Sequence, residues 1–261
     1  MDIMVENHQL FWLIWLCVFG LCLGSFLNVI IWRLPREKSI VFPGSSCPAC
    51  GSPIHWYDNI PIISYIILRG RCRRCGARIS ARYPLIEALT GAMTFLVFWR
   101  FGINLHAGIR FLLVALMIAV AIIDAEHMII PDQISLGGLV AGLGLSFIHG
   151  DVAPLEAFIG AAAGALFLGL VRFVHMKITG IEGMGLGDVK LAGTIGAFLG
   201  WYALPVVFLA STAMGLLVGG IFLAIKGKGA RTPLPFGTFL AVGAIAYVFA
   251  EPWWMNYLLN R

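Results

Sequence analysis

Charge is what this sequence has least of. Asp, Glu, Lys and Arg make up only 12% of its 261 residues, whereas 60% belong to the apolar and aromatic set that includes Cys. Soluble domains carry about 25% charged residues, and half that share cannot cover a chain of this length in water. Intrinsic disorder, collagen-like repeats and a disulfide-stapled secreted module are excluded on the same ground. A basic n-region is also missing: Asp2 and Glu6 precede the first apolar run, which therefore reads as a retained span and not a cleaved signal. No repeat of about 20–50 residues is evident. No strand leading into G-x-G-x-x-G occurs either, so a Rossmann-type cofactor cleft is not expected.

What the chain does have is apolar sequence in pieces close to the ~20 residues that cross a bilayer as a helix. They fall at 10–32, 84–99, 109–123, 133–148, 155–174, 189–202, 203–225 and 236–250. The expectation is an all-α membrane protein, a polytopic bundle of about eight transmembrane helices. Residues 33–83 break the pattern with charge, Gly, Pro and Cys, and read as a water-exposed insertion. The chain then divides into a first transmembrane helix (1–32), a tetracysteine loop (33–83) and a transmembrane core (84–261). Glycines inside the apolar runs, such as Gly160 and Gly164, read as close-packing positions between helices.

The net charge of +5 would suggest nucleic acid in a soluble protein. Here the placement of the charges argues against a nucleic-acid partner and for an orientation. With the first terminus outside and the spans alternating, nine basic residues fall in 33–83, three in 172–190 and three in 226–236. Fifteen of the 18 thus lie on the cytoplasmic side, as membrane topology favours.

Two local patterns carry chemistry. Cys47-Pro-Ala-Cys50 and Cys72-Arg-Arg-Cys75 are C-x-x-C pairs 21 residues apart, the spacing of a zinc ribbon. Each pair turns two thiolates toward one ion, and Gly51 and Gly76 suit the tight turn that follows. Four sulfurs leave no open coordination position, so zinc held by Cys47, Cys50, Cys72 and Cys75 would be structural. The plainer alternative is a set of free or redox-active thiols.

The second pattern is acid at membrane level, which is costly and points to function. Asp124 ends the third span, and Asp188 stands at the mouth of the sixth, in Gly183-Met184-Gly185-Leu186-Gly187-Asp188-Val189-Lys190. Both fall at the cytoplasmic boundary, so they can meet despite 64 residues of separation. Two facing carboxylates share a proton, which suits water activation at a peptide bond. Gly185 and Gly187 would admit a close, extended substrate and hold Asp188 at an unusual backbone angle. Plainer readings stand beside this one: Asp188 and Asp132 as helix N-caps, and Asp124 as an ion-pair partner of Lys190 or of another interior cation. Glu126, Asp132 and Glu182 read either as an acidic rim that would attract a basic peptide or as solvated helix ends.

These residues resemble the prepilin peptidases, or type IV leader peptidases, membrane aspartic proteases of the G-x-G-D class. The resemblance runs through Gly24-Ser25-Phe26-Leu27-Asn28-Val29 with Arg33-Leu34-Pro35, and through the two C-x-x-C pairs flanking Trp56-Tyr57-Asp58-Asn59-Ile60-Pro61. It continues through Ile79 to Pro84, Asp124 to Asp132, Gly183 to Lys190, and Pro235-Phe236-Gly237. Thr238 then stands where a proline is often found. The resemblance implies that Asp124 and Asp188 are the catalytic pair, supported by Gly185, Gly187 and Lys190. It implies removal of the basic class III leader of prepilins or pseudopilins, after a glycine, at the cytoplasmic face of a bacterial inner membrane. It further implies methylation of the new N-terminus with S-adenosylmethionine, an activity associated with the cysteine loop. Glu37, Asp58 and Arg71 are conceivable contacts for that methyl donor. Membrane lipid is the remaining expected partner. A proton- or cation-coupled transporter using the same acids is the competing class.

Overall fold

The computed structural model describes the backbone of residues 2–149, 151–226 and 234–259, and the side chains of 11–148, 151–221 and 234–250. Among the described residues the secondary structure is helical apart from two isolated β-bridges, Ser46–Pro53 and Arg71–Arg78. Eight long helices and one short one follow in order: α1 (Asp2–Arg33), α2 (Ile63–Ile67), α3 (Arg82–Phe101), α4 (Leu105–His127), α5 (Asp132–His149), α6 (Pro154–Thr179), α7 (Leu186–Leu199), α8 (Leu204–Lys226) and α9 (Phe236–Leu259). Among the described residues five stretches are long and apolar enough to cross a membrane: Phe11–Arg36, Arg82–Phe101, Leu105–His127, Pro154–Thr179 and Trp201–Ile221. Asp132–Ile148 and Phe236–Ala250 are apolar but shorter. The expected polytopic helical bundle is therefore what the chain forms.

The span expected at 189–202 is corrected. The helix runs over Leu186–Leu199, and its 14 residues rise only about 21 Å, short of the ~30 Å hydrocarbon core. Ten of its residues, including every one from Leu191 to Leu199, are buried. It is thus a central core helix, wrapped by α5, α6, α8 and α9.

The chain forms two compact units, residues 1–111 and 112–261. In the first, α1 and α3 pack along small residues. A methyl on Gly20 would overlap Thr94, and one on Gly24 would overlap the backbone of Glu87. Lipid offers no hydrophobic drive for helix association, so this close approach is what dispersion requires. Asn28 fastens the contact by donating to the Tyr83 carbonyl at 3.1 Å. In the second unit the closest approach is α6 on α7. Gly160 and Gly196 lie so near that a methyl on either would enter the other's backbone, and Gly164 abuts Ala192 in the same way. Thr194 ties α7 to α5 by donating to the Ser135 carbonyl at 2.6 Å.

Candidate functional site

The cysteine loop is built from two knuckles with the same hydrogen bonds. Cys47 N–H donates to Ser52 O and Gly51 N–H to Cys47 O; Cys72 N–H donates to Ala77 O and Gly76 N–H to Cys72 O. Gly51 and Gly76 take φ of 70° and 71°, the left-handed conformation that a side chain disfavours and the turn requires. All four thiols are free, and their sulfurs lie within 4.8 Å of one another, Cys47 to Cys75 at 3.9 Å. A disulfide needs about 2.05 Å, whereas four sulfurs around a tetrahedral ion sit about 3.8 Å apart. The cluster therefore fits a four-coordinate metal. A hydrogen bond with the Ser52 hydroxyl, 2.8 Å away, lowers the Cys50 thiol to about 6, toward the thiolate that a metal binds.

Near this cluster, Arg73 grips Asp58 with Nε at 3.0 and 2.9 Å and Nη2 at 2.6 Å from the carboxylate, and holds that carboxyl below its usual range. Asp58 is thus engaged within the loop. Arg71 lies in the bridge with Arg78, and exposed Glu37 caps a 3-10 turn at φ 54°.

In the second unit, Asp124 lies one turn before the end of α4 and Asp188 in the first turn of α7, and both are buried. Each carboxylate meets a helix N-terminus, where free N–H groups favour negative charge. Asp124 Oδ2 accepts from the backbone N–H of Thr238 at 2.7 Å, at the start of α9. Asp188 Oδ2 accepts from Gly185 N–H at 3.2 Å. Asp188 is therefore not an N-cap residue; Gly185 is. The like charges of Asp124 and Asp188 are within electrostatic reach of each other.

Ile130 joins the pieces. A methyl on Gly187 would lie 3.0 Å from Ile130 Cβ, and one on Gly237 would lie 2.7 Å from Ile130 Cδ1 and 3.1 Å from the Asp124 carboxyl carbon. Both glycines are needed for room. The expected unusual backbone angle is corrected: Gly185 has an ordinary extended φ of −74°, and Gly187 lies within the helix.

Lys190 pairs with Asp132 at 2.7 Å and so links α7 to the start of α5, in place of the alternative Lys190–Asp124 pair. Asp132 does not cap α5 either: it is the helix's first residue, and the carbonyl of Pro131 before it accepts the first helical bonds, from the N–H groups of Ile134 and Ser135. Of the expected acidic rim, Glu182 is held by Arg172 at 2.8 Å and Asp132 by Lys190, which leaves less free charge there than the sequence suggested. Sequence reasoning gave no role to Ile130, Gly237 or Thr238. The Pro235-Phe236-Gly237 motif was the available signal, but nothing in it says which acid it faces.

The class is therefore a polytopic helical membrane protein with two buried acids whose carboxylates face helix starts in one unit and a tetracysteine knuckle pair in the other. Residues 18–101 match the Bacterial Peptidase A24 N-terminal domain, and residues 111–220 match the Type IV leader peptidase family. A Prepilin leader peptidase/N-methyltransferase of Myxococcus xanthus is 44% identical over 84% of this chain and 66% of its own length. Proteins of the same name from Pseudomonas aeruginosa and Aeromonas hydrophila are 36% and 38% identical, each over 97% of this chain and over 96% and 97% of their own lengths. No solved structure matches. The chain belongs to the type IV leader peptidase family, which supports the peptidase over the transporter.

Proposed function

We propose that this chain is a leader peptidase and N-methyltransferase of prepilins or pseudopilins in a bacterial inner membrane, with Asp124 and Asp188 as its catalytic pair. One observation carries the reading: Gly187 of α7 and Gly237 of α9 both pack on Ile130, Gly237 also lies against Asp124, and a buried carboxylate stands at each of two helix N-termini. A single oxygen of Asp124 is occupied as an acceptor by Thr238 N–H, which leaves Oδ1 to take a proton from water. The hydroxide oxygen bonds the scissile carbonyl carbon as Asp188 donates its proton to the carbonyl oxygen. The diol then collapses: one of its hydroxyls returns a proton to Asp188 as the C–N bond breaks, and the leaving amine takes the proton held by Asp124, which restores both acids. Both acids would lie on the cytoplasmic side, where a basic class III leader joins its apolar helix, with the surrounding lipid holding that helix in place.

The sulfur geometry supports structural zinc on Cys47, Cys50, Cys72 and Cys75. Functionally the chain divides into 1–32, a tetracysteine loop at 33–83 serving methyl transfer, and a peptidase core at 84–261. S-adenosylmethionine supplies the methyl group as a second substrate.

The test is incubation of the membrane-embedded protein with a prepilin and isotope-labelled S-adenosylmethionine, followed by mass measurement of the product. The expected product lacks its leader and carries one labelled methyl on its new N-terminus, and Asp124→Asn and Asp188→Asn yield uncleaved prepilin. Full cleavage by either variant ends the assignment of the pair.

A further inference from the structure

Arg33, the last residue of α1, is 8% exposed and, among the described residues, carries a charge that no acid answers. Its Nη1 donates to the Ser39 carbonyl at 2.9 Å, and its Nη2 to those of Pro43 and Gly44 at 2.7 and 3.3 Å. These bonds use three of the five N–H donors of a guanidinium. Among the described residues no carboxylate lies within ion-pairing distance of it, in contrast to Arg73 and Arg172, which each hold one. Carbonyls fix the group in place without neutralising it, and a buried unpaired charge is costly. A site arranged in this way is preorganised for an anionic ligand.

Space for the ligand is present. Arg33 lines a cleft of about 380 Å³ between α1 and the loop, together with Ser25, Phe26, Val29, Ser45 and Asn59. Small-molecule sites run from about 300 to 1,000 Å³, mostly apolar with a few convergent polar groups. Here Phe26 and Val29 give the apolar wall, and two hydroxyls and an amide give the polar groups. Glu37, Asp58 and Arg71, the contacts considered from the sequence, are absent from this lining.

We propose that this cleft holds S-adenosylmethionine, with the carboxylate of its amino-acid end on Arg33. The proposal rests on the N-methyltransferase reading above. An N–H of Arg33 that the carbonyls leave unused can donate to a carboxylate oxygen in a charge-assisted bond, and the aromatic face of Phe26 suits either an adenine ring or a sulfonium cation. A prepilin leader is excluded as the occupant, because its basic charge would face Arg33. In the transfer, the lone pair of the peptide's neutral amine forms the N–C bond while the C–S bond breaks. Sulfur keeps that electron pair, and the nitrogen gives its extra proton to water. The product S-adenosylhomocysteine retains the same carboxylate, so it binds the same place without turnover.

The test is equilibrium dialysis of the full chain in zwitterionic-lipid nanodiscs with two probes, S-adenosylmethionine and its decarboxylated analogue. Arg33→Gln should weaken S-adenosylmethionine about tenfold or more and leave the analogue's affinity unchanged, with Arg33→Lys in between. S-adenosylhomocysteine should follow S-adenosylmethionine. Val29→Trp, which fills the cleft, should weaken both probes. Equal loss of both probes in Arg33→Gln, or no loss of either, overturns the carboxylate contact. Retention of anionic phospholipid that depends on Arg33, with S-adenosylmethionine binding unaffected, overturns it in favour of a lipid headgroup. Absence of binding by the unaltered protein would instead defeat the methyltransferase reading itself.

Discussion

Thr238 holds one oxygen of Asp124 from two directions. Its backbone N–H donates to Oδ2 at 2.7 Å, and its hydroxyl lies 3.1 Å from the same oxygen and 3.0 Å from the Ala121 carbonyl. The two residues are 114 apart in the chain, so this link fixes the start of α9 to the end of α4. Thr238→Val keeps the N–H and removes the hydroxyl. A hydrogen bond to a charged group contributes about 1.5–3 kcal/mol, and misplacing the carboxylate by that much should lower kcat for leader removal about tenfold to a hundredfold. KM should change little, and Thr238→Ser should restore the rate. Steady-state cleavage of a prepilin peptide measures this, and an unchanged kcat in Thr238→Val would show that the N–H alone suffices.

Gly196 makes a sharper test of packing than of chemistry. Any side chain there enters the backbone of Gly160, and overpacking of this kind costs about 1–3 kcal/mol. Gly196→Ala should lower the thermal unfolding midpoint and reduce cleavage with it, since α7 also carries Asp188. Gly137→Ala on α5 is the control, because nothing lies within 4 Å of an added methyl there. That change should be neutral or slightly stabilising through helix propensity. Thermal unfolding followed by tryptophan fluorescence compares the two, and equal shifts would contradict the close α6–α7 contact.

Much of this was legible in the sequence, for a physical reason. A membrane span must be long and apolar whatever its neighbours do, so the run at 155–174 reappears as Pro154–Thr179 and the run at 84–99 as Arg82–Phe101. The knuckles were legible because thiol spacing and the glycine after each pair are both local. Partnerships across helices were not. Lys190 finds Asp132, 58 residues away, and Thr238 finds Asp124, because helix packing brings them together, and no local pattern encodes that. The start of α7 was also misjudged. A glycine can serve as N-cap with nothing but backbone, so the glycine-rich stretch before Asp188 concealed the first helical turn.

Acid should loosen the cysteine loop partly through Asp58. Its carboxyl is held below the usual range by the hydrogen bonds from Arg73 and by the attraction of that charge. A depressed folded value stabilises the fold above the unfolded carboxyl value of about 3.9, and that contribution fades as pH falls through the folded value. Asp58→Asn should therefore speed amide hydrogen exchange across residues 56–75 at pH 7 and pH 5. The difference from the unaltered protein should shrink only below about pH 4. Both charges are near solvent, so high salt should narrow the gap as well. A gap that persists undiminished in acid would mean that the loop relies on Asp58 for something other than its charge.

Metal removal should affect the two activities unequally. Of the four cysteines only Cys47 is buried, so four bonds to one ion would be the main closure of the two knuckles. Cys47→Ser combined with Cys72→Ser should abolish the one tightly held metal per chain, measured by elemental analysis. The loop at 33–83 should then become sensitive to protease. Methyl transfer to a leaderless pilin should fall with the metal, because the cleft on Arg33 depends on the carbonyls of Ser39, Pro43 and Gly44 just before the first knuckle. Leader removal should persist, because Asp124, Asp188 and Thr238 all lie beyond the loop in the second unit. A metal-free protein that still methylates at full rate would leave the cysteines without a structural purpose. Loss of both activities together would show that the peptidase core needs the loop to fold.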